Sequence, residues 1–394
     1  MDPADGLERL DALFAWVVRA SWQASVVVLL VLGAQWALGR RVGANWRYAL
    51  WLLVAVRLAA PALPGSGFSL FNAAPGGREG AAPPVRRERS EASAVVRVVV
   101  LPEQGGAATE RDAPAAAPAA DVVPPRAPLS FREAAALAWL AGVLLLCVRL
   151  LWVNVRFYRR VRRLPVVGDP AVLRVVEQCR REIGIRGGVP VLIGSEAEGP
   201  ALLGLFRPKL LLPREVLARL TADELRLVFL HELAHLRRRD VLAEWVLTLV
   251  QTVHWFNPAI WLACARCRAD RELACDAAVL SLAARAGGDG RGAYGRTILK
   301  LAGAPLAALP RPLAAVGILE GRAHLKRRIR MIASYDSPKW YRSLLAMAAI
   351  ALVGCVALTD AKEPPASQRD VAGAESAAVR GAWKSLNSRG IGRR

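Results

Sequence analysis

Four stretches of the chain stay apolar for about 20 residues each, the length that crosses a ~30 Å hydrocarbon core. They run from Leu13 to Leu38, Trp46 to Leu63, Phe131 to Trp152 and Trp340 to Asp360. Trp46, Trp152, Trp340 and Tyr341 stand near their ends, where amphipathic rings suit a membrane–water interface. Arg19 and Arg57 break the apolar runs and are expected to face protein or reach headgroups. Between the third and fourth stretches the pattern changes. "DPAVLRVVEQCRREIGI" has apolar residues at helical spacing, while "VPVLIGS" and "ALLGLFRPKLLLP" read as short strands. "PREVLARLTADELRLVFLHELAHLRRRD" reads as two helices divided at Thr221, an N-cap whose box is completed by Glu224. The apolar helix that follows is interrupted near Asn257–Pro258 and resumes with acids in "RADRELACD". The Gly-rich run 284–295 reads as a mobile loop, and self-cleavage there is conceivable although no residue demands it.

Composition agrees with a membrane chain. Of 394 residues 54% are hydrophobic and the mean hydropathy is +0.28, too high for an ordinary soluble domain. The net charge of +21 would suit nucleic acid, but the arginines cluster beside the ends of apolar stretches: "GRR" with Arg47, "VRFYRRVRR" and "LKRRIRMI". Counting positive charge on the inside gives one consistent topology. The N-terminus lies outside, the loop after Leu38 inside, residues 65–130 outside, 153–339 inside and the tail outside. The basic balance is then a topology signal with attraction to the anionic bilayer, and no direct nucleic-acid contact is expected.

The expected organisation is a membrane α-helical protein of four spans with a cytosolic α+β domain. Residues 1–64 hold the N-terminal tail and two spans, and 65–130 an external Ala/Pro/Gly-rich linker expected to be disordered. The third span is 131–152, the cytosolic domain 153–339, the fourth span 340–360 and an external tail 361–394. Six scattered cysteines give no disulfide framework. The lone C-x-x-C of Cys264 and Cys267, and the lipobox-like "LVGC" ending at Cys355, are read as coincidences of helical sequence.

The candidate chemistry is "HELAH". His231 and His235 are four apart on a helix, so both imidazoles leave one face and can chelate one Zn²⁺. Glu232 between them suits the general base of a zinc peptidase. A catalytic zinc needs a third ligand, and Glu272 is the candidate, with Asp276 one turn later placed to hold a ligand imidazole from behind. The competing reading is a solvated acidic face paired to Arg268 and Arg271. Asp240 is a candidate for the same supporting role and for ordering one of Arg237, Arg238 and Arg239, against a simple surface ion pair. His254 is a candidate oxyanion stabiliser, against the plainer role of a packing residue. The strand pair in "ALLGLFRPKLLLP" is a candidate edge for an extended substrate, or a core hairpin.

"HELAHLRRRD", "HWFNPAIW" and "RADRELACDAAVL", in that order, resemble the BlaR/MecR family of integral-membrane metallopeptidases, and "GPALLGLFRPKLLLP" and "AHLKRRIRMI" fit the same pattern. The resemblance covers roughly residues 10–360. It implies a gluzincin-type domain with one Zn²⁺ per chain on His231, His235 and Glu272, and Glu232 as catalytic base. It also implies a multi-pass protein of the bacterial inner membrane whose peptidase faces the cytoplasm. Its substrate would be a cytosolic protein, a winged-helix repressor destroyed after an external signal, as in an antirepressor circuit. Family members continue into a penicillin-binding sensor domain. Here about 35 residues follow the fourth span, too few for such a domain, so β-lactam sensing is not expected of them. A Ste24/HtpX-like quality-control peptidase and a noncatalytic zinc-containing receptor or scaffold are the alternatives, and a homodimer is left open.

Overall fold

In a computed structural model, the described residues are 3–41, 43–59, 65–66, 130–194, 199–285, 290–303, 316–317, 322–336, 340–357 and 360–361. The expected linker beyond Ser66 and the tail beyond Ala361 lie outside them.

The first apolar stretch forms one helix, α1 (Pro3–Leu38). The second is divided at Leu50 into α2 (Ala44–Ala49) and α3 (Trp51–Ala59), followed by strand β1 (Gly65–Ser66). The division has a packing reason: α3 lies on α1, whereas α2 turns away to lie along a later helix. Helix α4 (Phe131–Val161) starts at a capping box between Ser130 and Glu133. Then come α5 (Pro170–Ile183), β2 (Val191–Gly194), β3 (Ala201–Leu203), β4 (Lys209–Pro213), α6 (Arg214–Arg219) and α7 (Ala222–Arg238). The remainder is α8 (Asp240–Val253), α9 (Pro258–Arg285), α10 (Gly290–Ala302), β5 (Val316–Gly317), α11 (Arg322–Ala333), α12 (Trp340–Ala357) and β6 (Asp360–Ala361), which pairs with β1. Helix α9 is the one that α2 follows.

The chain is thus mostly helical with a small sheet. Among the described residues, α1 from Asp5 and α4 are long and apolar enough to cross a membrane; the apolar part of α12 is shorter, Ser343–Cys355. The Gly-rich run is not wholly a loop. Gly290 to Gly295 already belong to α10, and Tyr294 within it is fully buried. Burying that large ring between α7, α9 and α11 favours the helix over the coil that its glycines would allow.

The main core forms where α5 and α7 cover the sheet. Helix α5 buries Val172, Val176, Cys179 and Ile183, spaced by four, three and four on one face. It starts at the Asp169 cap and stops at Gly184, whose φ of 78° suits glycine. Strand order is β2-β4-β3-β5, with β2 parallel and β3 antiparallel to β4. The β3–β4 hairpin matches the sequence expectation. Its outer side is paired with Val316–Gly317, so the edge suggested for a substrate strand is filled by the chain's own backbone.

Helix α7 carries the HExxH residues and is capped as its sequence implies: Thr221 accepts from the Glu224 N–H while Glu224 accepts from the Thr221 N–H. It ends at Arg239, a non-glycine residue at φ 58°. That left-handed residue turns the chain sharply, so α8 begins at once with Asp240 folded back beneath α7.

Helices α8 and α9 form a hairpin whose tip, His254–Asn257, reaches the middle of the apolar helices. Asn257 Nδ2 donates to Ser21 and Ser25 hydroxyls of α1 at 2.7 and 2.9 Å. Trp139 of α4 donates to the Val253 carbonyl at 2.8 Å, and the Trp255 indole lies where a side chain at Gly142 would clash. Cys264 and Cys267 are buried as free thiols in the core that α9 shares with α1 and α3.

Candidate metal centre

Because α7 is helical through "HELAH" and one face is pressed into the core, His231, Glu232 and His235 are all fully buried. Phe229, Leu230 and Leu233 anchor the same segment, each burial contributing on the order of 2 kcal/mol. Helix α9 crosses α7 and brings Glu272 in from the other side. Glu272 Oε2 lies 3.4 Å from His231 Nε2, and Oε1 lies 3.6 Å from His235 Nε2. Ligands about 2.0–2.1 Å from one tetrahedral ion sit roughly 3.3 Å from each other, so the spacing suits a zinc-sized ion.

The hydrogen bonding points the same way. Both Nε2 atoms, both Glu272 oxygens and both Glu232 oxygens are buried without a hydrogen-bond partner. Orphaned buried polar atoms are costly, and those of His231, His235 and Glu272, which lie within 4.8 Å of one another, fit a cation. Charge agrees. Burial by itself lowers the His231 pKa, yet the neighbouring Asp276 and Glu272 carboxylates outweigh it and raise it to about 9. The carboxylates thus favour positive charge at His231, whereas burial lowers the pKa of His235. Burial opposes ionisation of Glu272, but His235, His231 and Arg328 hold its carboxyl at about 2. Burial, with Glu272 adding, pushes Glu232 up to about 8.

Each imidazole is held from behind. On His235 the holder is Asp240, 2.8 Å from Nδ1, brought there by the turn at Arg239; Arg238 Nε lies 3.6 Å from the same carboxylate oxygen. Asp240 thus meets both roles that the sequence left open. On His231, Asp276 Oδ1 lies 3.2 Å from Nδ1. The Tyr294 hydroxyl stands between them, 2.8 Å from Nδ1 and 2.7 Å from Asp276 Oδ1. With Nδ1 protonated, the hydroxyl accepts from the imidazole and donates to the carboxylate. Arg328 closes the network, its Nε and Nη2 donating to Asp276 at 2.9 and 2.6 Å. Burial opposes the Asp276 charge, but Arg328 holds its carboxyl well below the usual carboxylate range.

The solvated-face reading of the acids does not hold. Glu272 and Asp276 are buried, and Arg268 and Arg271 pair with Glu244 of α8 at 2.8 and 2.7 Å, with Arg271 Nε also 3.9 Å from Glu272 Oε1. His254 is a correction as well. It lies at the far end of α8 from Asp240, about 20 Å at 1.5 Å per residue, and cannot reach a reacting atom at the metal site. A second potential metal-binding group, His235, Asp240 and Cys275, shares His235 through its other nitrogen. Those atoms already satisfy one another, with Cys275 Sγ 3.3 Å from Nδ1 and 3.5 Å from Asp240 Oδ2. The orphaned atoms select the first group.

Sequence reasoning missed Tyr294, Arg328 and Cys275. Arg328 sits in "AHLKRRIRMI", a stretch noted only as a fit to a pattern. The available signal was a cation amid apolar residues on an otherwise amphipathic helix. Tyr294 was hidden by the glycines around it.

Comparison with known proteins identifies a family. The family description BlaR1 peptidase M56 matches residues 15–332. The "Regulatory protein BlaR1" of Bacillus licheniformis is 29% identical over 199 residues, half of this chain and 32% of its own. The "Methicillin resistance mecR1 protein" of Staphylococcus aureus is 28% identical over 149 residues, 38% of this chain and 25% of its own. The matched stretch is therefore a third or less of either relative.

Proposed function

The chain belongs to the BlaR1 peptidase M56 family, and on that premise we propose that it is a membrane-anchored zinc endopeptidase acting on a cytosolic regulatory protein. The observation that carries the reading is the convergence of the unbonded Nε2 atoms and Glu272 oxygens beside the unbonded carboxylate of Glu232. His231, His235 and Glu272 would hold the ion. When bound, zinc supplies a Lewis acid for the scissile carbonyl and makes water more acidic. Asp240, and Asp276 with Tyr294, keep Nδ1 of each imidazole engaged, which leaves Nε2 free for the ion. Glu232 takes the proton of the attacking water and returns it to the departing amide nitrogen. A carboxyl raised toward neutrality by burial suits a group that must accept a proton and give it back.

The membrane placement is proposed on the same footing. Helices α1 and α4 span the bilayer, and α3 and α12 form part of the second and fourth spans. The peptidase lies on the arginine-rich side, the cytoplasm of a bacterial cell. The α8–α9 tip extends into the bilayer, because its Asn257 and Trp255 bond to the middle of α1 and the apolar part of α4. Leu249 and Phe256 are exposed there and would meet lipid.

The test compares cells carrying the wild type with cells carrying Glu232→Gln, by mass spectrometry of new protein N-termini. One or two cytosolic cleavage products lost in the variant, with zinc content near one per chain in both, is the expected result. Unchanged cleavage products would overturn the reading. Many accumulating membrane proteins would instead indicate quality control, and a small winged-helix protein among the lost substrates would identify the repressor.

A further inference from the structure

A cavity of about 930 Å³ lies beside the metal centre and includes none of the metal-binding residues in its lining. Ala234 of α7 and Leu273 and Ala277 of α9 form part of its wall, so it shares its two helices with the site. Six arginines line it: Arg47, Arg237, Arg238, Arg285, Arg327 and Arg330. Asp336 is the single acid among its described lining residues. Arg237, Arg285 and Arg330 are exposed.

Its position is specific. Gly39 with Gly43 to Arg47, at the junction of α1 and α2, forms one side, and Ser343 in the first turn of α12 forms another. The two sides are tied where Trp46 Nε1 donates to Ser343 Oγ at 3.2 Å. Both helix ends are where apolar sequence stops, which the proposed membrane placement puts at headgroup depth. Met331, Leu282 and Ile183 add apolar lining to the cationic wall.

Three of the cations are fixed in place. Arg47 Nε lies 3.7 Å from Asp270 Oδ1, and Arg327 bonds to the same oxygen. Arg238 donates to Asn45 at 2.9 Å and stacks 5.0 Å over the Tyr48 ring. Asp270 offsets Arg47 and Arg327, and Asp240 offsets Arg238, so it is the exposed Arg237, Arg285 and Arg330 that favour an anion entering the space. Guanidinium forks match phosphate oxygens in shape and charge.

We propose that this arginine-walled cavity binds the headgroup phosphate of an anionic phospholipid in the leaflet on its side. The apolar lining at interface depth favours a lipid over a free anion, because it can receive the glycerol and the first methylenes. The proposal rests on the membrane placement of α1 and α12.

The test is native mass spectrometry of the full chain in detergent, titrated with phosphatidylglycerol, phosphatidylcholine or inorganic phosphate. Requirement of detergent for extraction is checked first, so that a failed membrane placement is seen separately. The wild type should retain phosphatidylglycerol in preference to phosphatidylcholine. Arg285→Gln with Arg330→Gln should weaken that binding about thirtyfold, at roughly a kilocalorie per cation near the lipid surface. Arg174→Gln with Arg219→Gln removes the same charge from exposed positions elsewhere and should leave it unchanged. Equal affinity in the wild type and the cavity variant, equal losses in both variants, or inorganic phosphate binding as well as the lipid would each overturn the proposal. Unchanged zinc content and melting in the cavity variant guard against misfolding.

Discussion

The two imidazoles of the metal centre are supported in opposite ways. His235 is held locally: Asp240 lies five residues on, carried back by one left-handed residue, with Arg238 and the Cys275 thiol beside it. His231 is held by three separate elements, with Asp276 from α9, Tyr294 from α10 and Arg328 from α11. The local arrangement needs little beyond α7 and its turn. The distributed one requires the later helices to be docked before the ligand is fixed. A buried arginine held by a buried aspartate also makes the His231 side more sensitive to loss of one partner.

The largest effect should come from breaking the distributed side. Arg328→Met leaves Asp276 buried with only His231 and Tyr294 for company, and should cost about 3 kcal/mol or more. A large fall in the unfolding midpoint, with loss of zinc on purification, would show it. On the local side, Asp240→Asn keeps the shape and loses the charge. Zinc affinity should fall about 10- to 100-fold with little change in melting, as measured by competition with a chelator. If this variant proves as unstable as Arg328→Met, the contrast between the two sides is wrong. Tyr294→Phe sharpens the contrast within one network. Asp276 remains 3.2 Å from Nδ1, so the loss should be near 1 kcal/mol, and zinc should stay bound.

The distinction between local and distributed support also explains what could be read from the sequence. HExxH, the Thr221–Glu224 box, the α8–α9 break and the i, i+4 pair of Glu272 and Asp276 are all patterns within a few residues. Helical geometry fixes such patterns wherever the helix is packed. The partners of Arg328 and Tyr294 lie 18 to 63 residues away and meet only through the packing of α7, α9, α10 and α11. Nothing in local spacing encodes that packing. The choice left open for His254, oxyanion stabiliser or packing residue, is also decided beyond local spacing: a straight 14-residue helix carries it away from the site. The second apolar stretch was likewise read as one span from hydropathy alone, while packing on α1 and α9 divides it.

The smallest effect concerns the start of α7. Lys300 first, and then the Thr221 N–H, hold the Glu224 pKa below its ordinary value of 4.5. A carboxyl depressed in the folded state contributes stability above that ordinary value and loses it as pH falls through the lowered one. Glu224→Gln should therefore melt slightly below the wild type near neutral pH, and the difference should close in acid. A gap that widens in acid would contradict the sign.

The identity of the ligand set is tested most directly by zinc X-ray absorption on the purified chain. Nitrogen and oxygen scatterers near 2.0–2.1 Å, with two imidazoles and no sulfur, are expected for His231, His235 and Glu272. A sulfur scatterer near 2.3 Å would place the ion on Cys275 and contradict the assignment.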